Sequence, residues 1–195
     1  MTDYEALKKI CSRRKSCRTF SDREVPMETL GLIREIAQTS PFASGRKTWD
    51  IIIINDKSKL AEIAEAVKNY AAGFSRKIKD DFRTGFLEYS KNFYFFGKAP
   101  AAFILTYRVT PTTSVTIDAD AAAPGEIGMI KQWETENAAK SISCAATLVL
   151  LAAESLGLGA CYTTGGLIAE EEILKHITNK KDRRIGAIIP VGYYN

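Results

Sequence analysis

Arg14-Lys15-Ser16-Cys17-Arg18 sets two guanidinium groups and a hydroxyl at alternate positions. In an extended backbone successive side chains point to opposite faces, so Arg14, Ser16 and Arg18 converge on one side as two cations flanking a hydroxyl donor. Such a trio suits an oxyanion. A doubly charged phosphate accepts charge-assisted bonds from it, and arginine offers planar, permanently charged forks. The same residues also fit a solvated basic helix end placed favourably against the helix dipole. Spacing alone leaves both readings open.

Two further stretches carry candidate site residues. Gly157-Leu-Gly159-Ala-Cys-Tyr-Thr-Thr-Gly165-Gly166 follows a helical pattern, so it is not a dinucleotide fingerprint, which must follow a strand and open a helix. Its glycine pairs around Thr163 and Thr164 suit a backbone that approaches a ligand closely and presents its N–H groups. A helix C-cap followed by a tight turn explains them equally well. Ser40-Pro-Phe-Ala-Ser-Gly45-Arg-Lys-Thr-Trp49 places small residues, two cations and an aromatic just before an isoleucine run. It reads as a ligand rim or as a turn whose Trp49 caps the core.

Cys11, Cys17, Cys144 and Cys161 show no Cys-x-x-Cys spacing, and His176 is the only histidine. Zinc frameworks and thioredoxin-type chemistry therefore lack their ligands, and reduced structural thiols with no metal site are expected. A Ser-His-Asp triad would rest on His176 alone, at a lysine-flanked helix end. The chemistry is expected to belong to a cofactor.

The elements that must position these residues can be read from periodicity. The chain has 195 residues and 21.5 kDa, with 46% hydrophobic and 26% charged residues and a net charge of +4, the range of one globular domain spanning 1–195. Thr2-x-x-Glu5 is a capping box that opens a helix to about residue 14. Pro26 suits the first turn of a second helix that carries Met27, Leu30, Ile33 and Ala37 and ends before Ser40-Pro41. Asp50 to Asn55 is a β-branched run with the pattern of a strand covered on both faces, and it is expected to be central. Leu60, Ile63, Ala64, Val67 and Ala71 predict a helix from about Ser58 to Ala72. Residues 74–97 read as aromatic-rich helical pieces covering a groove. Ala101 to Tyr107 is a second strand, and 109–128 a long loop of the kind that serves function or moves.

Ile130 to Leu156 reads as a long helix, apolar nearly all round from Ser143 to Ala153. Such a helix must be buried on every side, which in a small domain calls for a partner subunit. A short strand or turn at Ala160 to Gly166, a helix around Glu170 to Ile177 and a strand from Ile185 to Tyr194 complete the pattern. The class is α/β or α+β, a sheet between helical layers. The longest uncharged apolar stretch, Ser141 to Ala153, falls short of the roughly 18 residues of a membrane span. The acidic, amphipathic N-terminus is unlike a secretory signal, so cytoplasm is the expected location. Arg13 to Arg18 and Lys180 to Arg184 raise nucleic-acid binding, against which a modest charge interspersed with 23 acidic residues argues.

In order and spacing, several segments together resemble the FMN-dependent nitroreductase family. They are Arg-Lys-Ser-x-Arg-x-Phe, the helix led by Val25-Pro26, Ser-Pro-x-Ala-Ser-Gly-x-x-x-Trp before Ile-Ile-Ile-Ile, Lys98-Ala99-Pro100 opening a strand, Gly-Leu-Gly before a turn, and Pro190-Val191-Gly192-Tyr193. The similarity spans essentially the whole chain. It implies a three-layer fold with a central mixed, mainly antiparallel sheet, and a homodimer with two FMN sites at the interface. It implies ping-pong hydride transfer from NAD(P)H through flavin N5 to a nitroaromatic, quinone or similar electron-poor acceptor. An FMN-binding protein of the same fold with little turnover is the alternative.

Residue by residue, the resemblance puts Arg14, Ser16 and Arg18 on the FMN phosphate, with Lys15 adjacent. Thr164 and Gly165, flanked by Thr163 and Gly166, match the turn whose N–H groups face flavin N5 and O4. Asn92 matches the family's asparagine on the ring. Gly45 and Lys47 stand where the family carries polar amides, with Arg46 or Lys47 as substitutes, so the substrate contacts depart from the pattern. The family's basic C-terminal arm has no counterpart before Asn195, with Lys181, Arg183 and Arg184 as stand-ins.

Overall fold

The computed structural model describes residues 2–42 and 47–195. The capping box forms: Glu5 N–H donates to Thr2 Oγ1 at 3.3 Å and Thr2 N–H to Glu5 Oε2 at 2.8 Å, opening α1 (Asp3–Arg13). Helix α2 (Met27–Gln38) starts after Pro26 and buries Leu30, Ile33 and Ala37. Strand β1 (Trp49–Ile54) leads to α3 (Lys57–Ser75), whose first turn is capped by the Asp56 carboxylate. The aromatic-rich stretch resolves into α4 (Asp80–Tyr94) and a 3₁₀ turn, Phe95–Lys98. Strand β2 (Ala101–Tyr107) is buried at every residue. There follow α5 (Glu126–Ser155), β3 (Leu158–Ala160), a 3₁₀ turn (Gly165–Ala169), α6 (Glu170–Ile177) and β4 (Arg184–Tyr193).

The strands form one sheet in the order β1-β2-β4-β3, each neighbouring pair antiparallel. Alternation along β2 and β4 divides the core. Ala101, Phe103, Leu105, Ala187, Ile189 and Val191 pack with α2 and α5 on one face. Ala102, Ile104, Ile185 and Ile188 pack with α3, α6 and Phe96 on the other. The sheet thus lies between two helical layers, as expected.

One expectation changes. The isoleucine run is not central: β1 is an edge strand. Continuous apolar sequence reports coverage of both faces, which β1 has, since Ile51 joins one cluster and Ile54 the other; it does not report lateral position. The sheet is mainly antiparallel, as expected, with a parallel bridge between Ser16 and Ala160. Within one chain the apolar helix leaves Ser143, Cys144 and Thr147 exposed. Helix α5 has an 18-residue stretch of mean hydropathy 1.3, which by length and composition alone could cross a membrane; here it packs on α2 and the sheet.

The loop between β2 and α5 is held by one side chain. Glu134, buried on α5, accepts the N–H groups of Thr112, Thr113 and Ser114 at 2.8, 2.7 and 3.2 Å, and the Ser114 hydroxyl at 2.6 Å. The Ser114 hydroxyl, then the Thr112 N–H, hold its carboxyl at about 2, below the ordinary 4.5. A depressed folded pKa means the anchor is fully present above the ordinary value and is lost as pH falls toward the folded one. Glu134→Ala should therefore raise hydrogen exchange at the Thr112, Thr113 and Ser114 amides about tenfold or more at neutral pH. In the unaltered chain their protection should persist at about pH 5 and fade between about pH 4 and 2.

Candidate functional site

Arg14 leaves α1 with φ −56° and ψ 124°, and the chain then pairs as an isolated parallel bridge from Ser16 to Ala160. Cys17 N–H donates to Ala160 O at 2.9 Å, laying the segment along β3. The expected alternation holds from Ser16 to Arg18, where Cys17 is buried and its neighbours are exposed, but not before it: Lys15 is exposed and Arg14 half-buried. Room for Cys17 comes from Gly159, where a Cβ would stand 2.7 Å from both Cβ and Sγ of Cys17. Burial pushes the Cys17 thiol up, the condition of an inert structural cysteine.

Beyond Cys161 the chain turns. Thr163 exchanges both backbone hydrogen bonds with Ile188 at 3.0 Å, fixing its side chain beside the sheet. The 3₁₀ turn then begins, its first bond running from Leu167 N–H to Thr164 O at 3.0 Å. The N–H groups of Gly165 and Gly166 head this turn, with no carbonyl of the turn behind them. Gly165 is required by packing rather than by φ, since a Cβ there would lie 2.3 Å from Cδ1 of Phe93. Gly166 is buried behind it, against the Phe93 carbonyl.

These elements enclose a cavity of about 280 Å³. Arg18, Asn92, Thr163, Thr164 and Gly165 line it, five of the residues expected from sequence. Its walls add Tyr89, Phe93 and Phe95 from the aromatic stretch, with Cys161 and Tyr162 at the turn. Tyr89 and Phe93 meet edge to face at 5.4 Å, and Phe93 meets Phe86 at 6.1 Å, so packed rings hold this wall. Asn92 Nδ2 donates to Tyr89 O at 3.1 Å, which leaves its Oδ1 without a partner among the described residues.

The other expected residues are distributed differently. Lys15 reaches the opposite way, its Nζ 5.6 Å from the centre of the Tyr194 ring. Arg14 and Ser16 share the segment with Arg18 but do not line the cavity. Lys47 lies over the Trp49 ring at 4.3 Å, away from this lining; Gly45 and Arg46 fall outside the described residues. Arg184 is taken up by Glu170, Nε to Oε2 at 2.8 Å, and faces a second cavity with Tyr107 and Ser143 that shares Tyr162 with the first. Cys161 and Tyr162 were not expected as lining. Their place inside the glycine-flanked stretch was the available signal.

The charge balance tests the fit of a phosphate-bearing group. Arg13 pairs with Glu154 at 3.1 Å, whereas Arg14, Lys15 and Arg18 have no ion-pair partner among the described residues. A polar cavity with an unpaired guanidinium at its edge, hydroxyls and an amide within and aromatic walls fits a flat anionic ligand. FMN meets that description.

Fold and cavity define a three-layer protein with a polar, aromatic-walled pocket, edged by Arg18, where β3 gives way to a glycine turn. The chain belongs to the nitroreductase family, whose model matches residues 11–193. It is 26% identical over 188 residues to an iodotyrosine deiodinase of Hydra vulgaris, an alignment covering 92% of this chain and 62% of that protein. The chain thus spans less than two thirds of that relative's length. Among solved structures it is similar to a BluB-like flavoprotein from Clostridium difficile 630, with a TM-score of 0.85 and 22% identity over 97% of this chain and 90% of that one. A nitroreductase with bound FMN from Desulfitobacterium hafniense DCB-2 gives a TM-score of 0.73 and 20% identity, covering 100% and 91%.

The Phe93 contact predicts that Gly165→Ala costs about 1–3 kcal/mol, as overpacking does. In urea titration, adding Phe93→Leu to Gly165→Ala should recover part of that loss. No recovery would show that something other than this ring demands the glycine.

Proposed function

We propose that the chain is an FMN-dependent oxidoreductase that accepts hydride from a reduced nicotinamide, NADH or NADPH, and passes electrons to an electron-poor acceptor such as a nitroaromatic or a quinone. The observation that carries this reading is the surplus of positive charge on one extended segment, with Arg18 at the edge of a polar, aromatic-walled cavity. A dianionic phosphate supplies the missing countercharge. Family membership supports the same class of chemistry.

Bound there, FMN would supply the hydride and electron transfer, chemistry that no side chain here needs to provide. Arg18, with Arg14 and Ser16 on the same extended segment, would hold the phosphate. Asn92, Thr163 and Thr164 would meet the polar edge of the ring. The N–H groups of Thr164 and Gly165 would stand where negative charge gathers on reduction. Tyr89, Phe93 and Phe95 exclude water and offer faces for flat substrates.

The protein is further read as a homodimer. Exposed Ser143, Cys144 and Thr147 lie on α5 beside half-buried Leu148, Leu150 and Leu151, a face suited to a second copy. A largely apolar cavity at Pro41, Phe42 and Cys144 borders the same face. Four unpaired thiols fit a reducing cytoplasm.

The purified protein should show a flavin spectrum that bleaches when reduced nicotinamide is added without oxygen. Flavin that stays oxidised would make the chain a flavin-binding protein reduced by another donor. No flavin after reconstitution with excess FMN would refute the reading. Arg18→Ala should weaken FMN retention about tenfold or more, and Lys47→Ala far less; equal retention would remove Arg18 from the phosphate site. Light scattering should give twice 21.5 kDa, and Thr147→Arg should shift the protein toward monomer.

A further inference from the structure

Glu154 is the penultimate residue of α5 and only 4% exposed. Its position is unfavourable on two counts. Burial strips a carboxylate of water, and a negative charge in the last helical turn opposes the helix dipole. Nothing in the stability of α5 explains an acid there, so its contacts must.

It has two. Arg13 Nε pairs with Oε1 at 3.1 Å, and the Tyr194 hydroxyl donates to Oε2 at 2.7 Å. Arg13 is the last residue of α1, directly ahead of the extended basic segment. Tyr194 lies just past β4 and touches that segment twice. Its ring carries the Lys15 ammonium, and its backbone bridges to Phe20. One carboxylate therefore holds the chain on both sides of Ser16 and Arg18. Burial, then the bond to Glu154, push the Tyr194 hydroxyl up to about 12, so it remains a donor across the working range of pH.

The charges agree. Arg13, Arg14, Lys15 and Arg18 crowd four cations into six positions, and like charges at that spacing repel. Glu154 takes Arg13 out of the group and fixes it on α5. Three cations then remain for an anionic ligand.

We propose that Glu154 is the positioning residue for phosphate recognition: it clamps Arg13 and Tyr194 so that the Arg14–Arg18 segment is held in its binding conformation before the ligand arrives. Without the clamp, binding must also order that segment, which lowers affinity for the phosphate-bearing ligand. This assignment rests on the FMN reading above.

FMN and riboflavin differ only by the phosphate, so they separate this role from a general structural one. Titrating flavin-free protein with each, followed by fluorescence quenching, the unaltered chain should prefer FMN. Glu154→Gln should lower FMN affinity about tenfold, the scale of a lost charge-assisted bond, and leave riboflavin affinity within about twofold. Tyr194→Phe should lower the same preference by a smaller factor, and with Arg13→Gln it carries the test if Glu154→Gln does not fold. An unchanged preference for FMN, or an equal loss for both flavins, would overturn the assignment. If the unaltered chain binds neither flavin, the FMN reading itself falls and this assignment with it.

Discussion

Everything at the site depends on the contact between Cys17 and Gly159. A glycine in β3 lets a buried thiol occupy the space of its missing side chain, so the backbone of residues 16–17 can lie close enough to bond Ala160. That bond sets the segment's direction and phase. With Cys17 turned inward, its neighbours Ser16 and Arg18 face outward, and Arg18 comes beside Thr163, Thr164 and Gly165 from a part of the chain nearly 150 residues away. Any side chain at Gly159 would push the segment off the strand and dissolve the pocket edge.

Two buried acids on α5 extend that control. Glu134 in its first half pins the loop after β2, and Glu154 in its last turn pins the ends of α1 and β4. Buried carboxylates are costly unless fully engaged, and both are engaged: Glu134 by the loop at 112–114, Glu154 by the last residue of α1 and by Tyr194 just past β4. The helix thus acts as a rigid bar to which irregular backbone is tied. Its outer face leaves Ser143, Cys144 and Thr147 exposed.

The exposed edge of the sheet shows a similar use of charge. Ile51 N–H donates to the Asp50 carboxylate at 2.8 Å, and Arg34 approaches the same carboxylate at 3.7 Å. A charge on an edge strand discourages further pairing, which matters for a strand with four consecutive isoleucines.

Much of this was legible from local chemistry. The capping box, the helix carrying Leu60, Ile63 and Val67 and the second strand follow from spacing, because each rests on interactions within a few residues. Register between distant segments is not encoded that way. The isoleucine run announced two covered faces but not an edge position, because strand order depends on which chain lies alongside. Glu134 and Glu154 look in sequence like ordinary polar positions of a long helix; their roles exist only once the loop at 112–114, Arg13 and Tyr194 are brought to them. The sequence determined the elements and the charged segment. Tertiary structure alone decided which cation is neutralised, which line the pocket and what holds them there, since a buried charge takes its meaning from partners that only folding supplies.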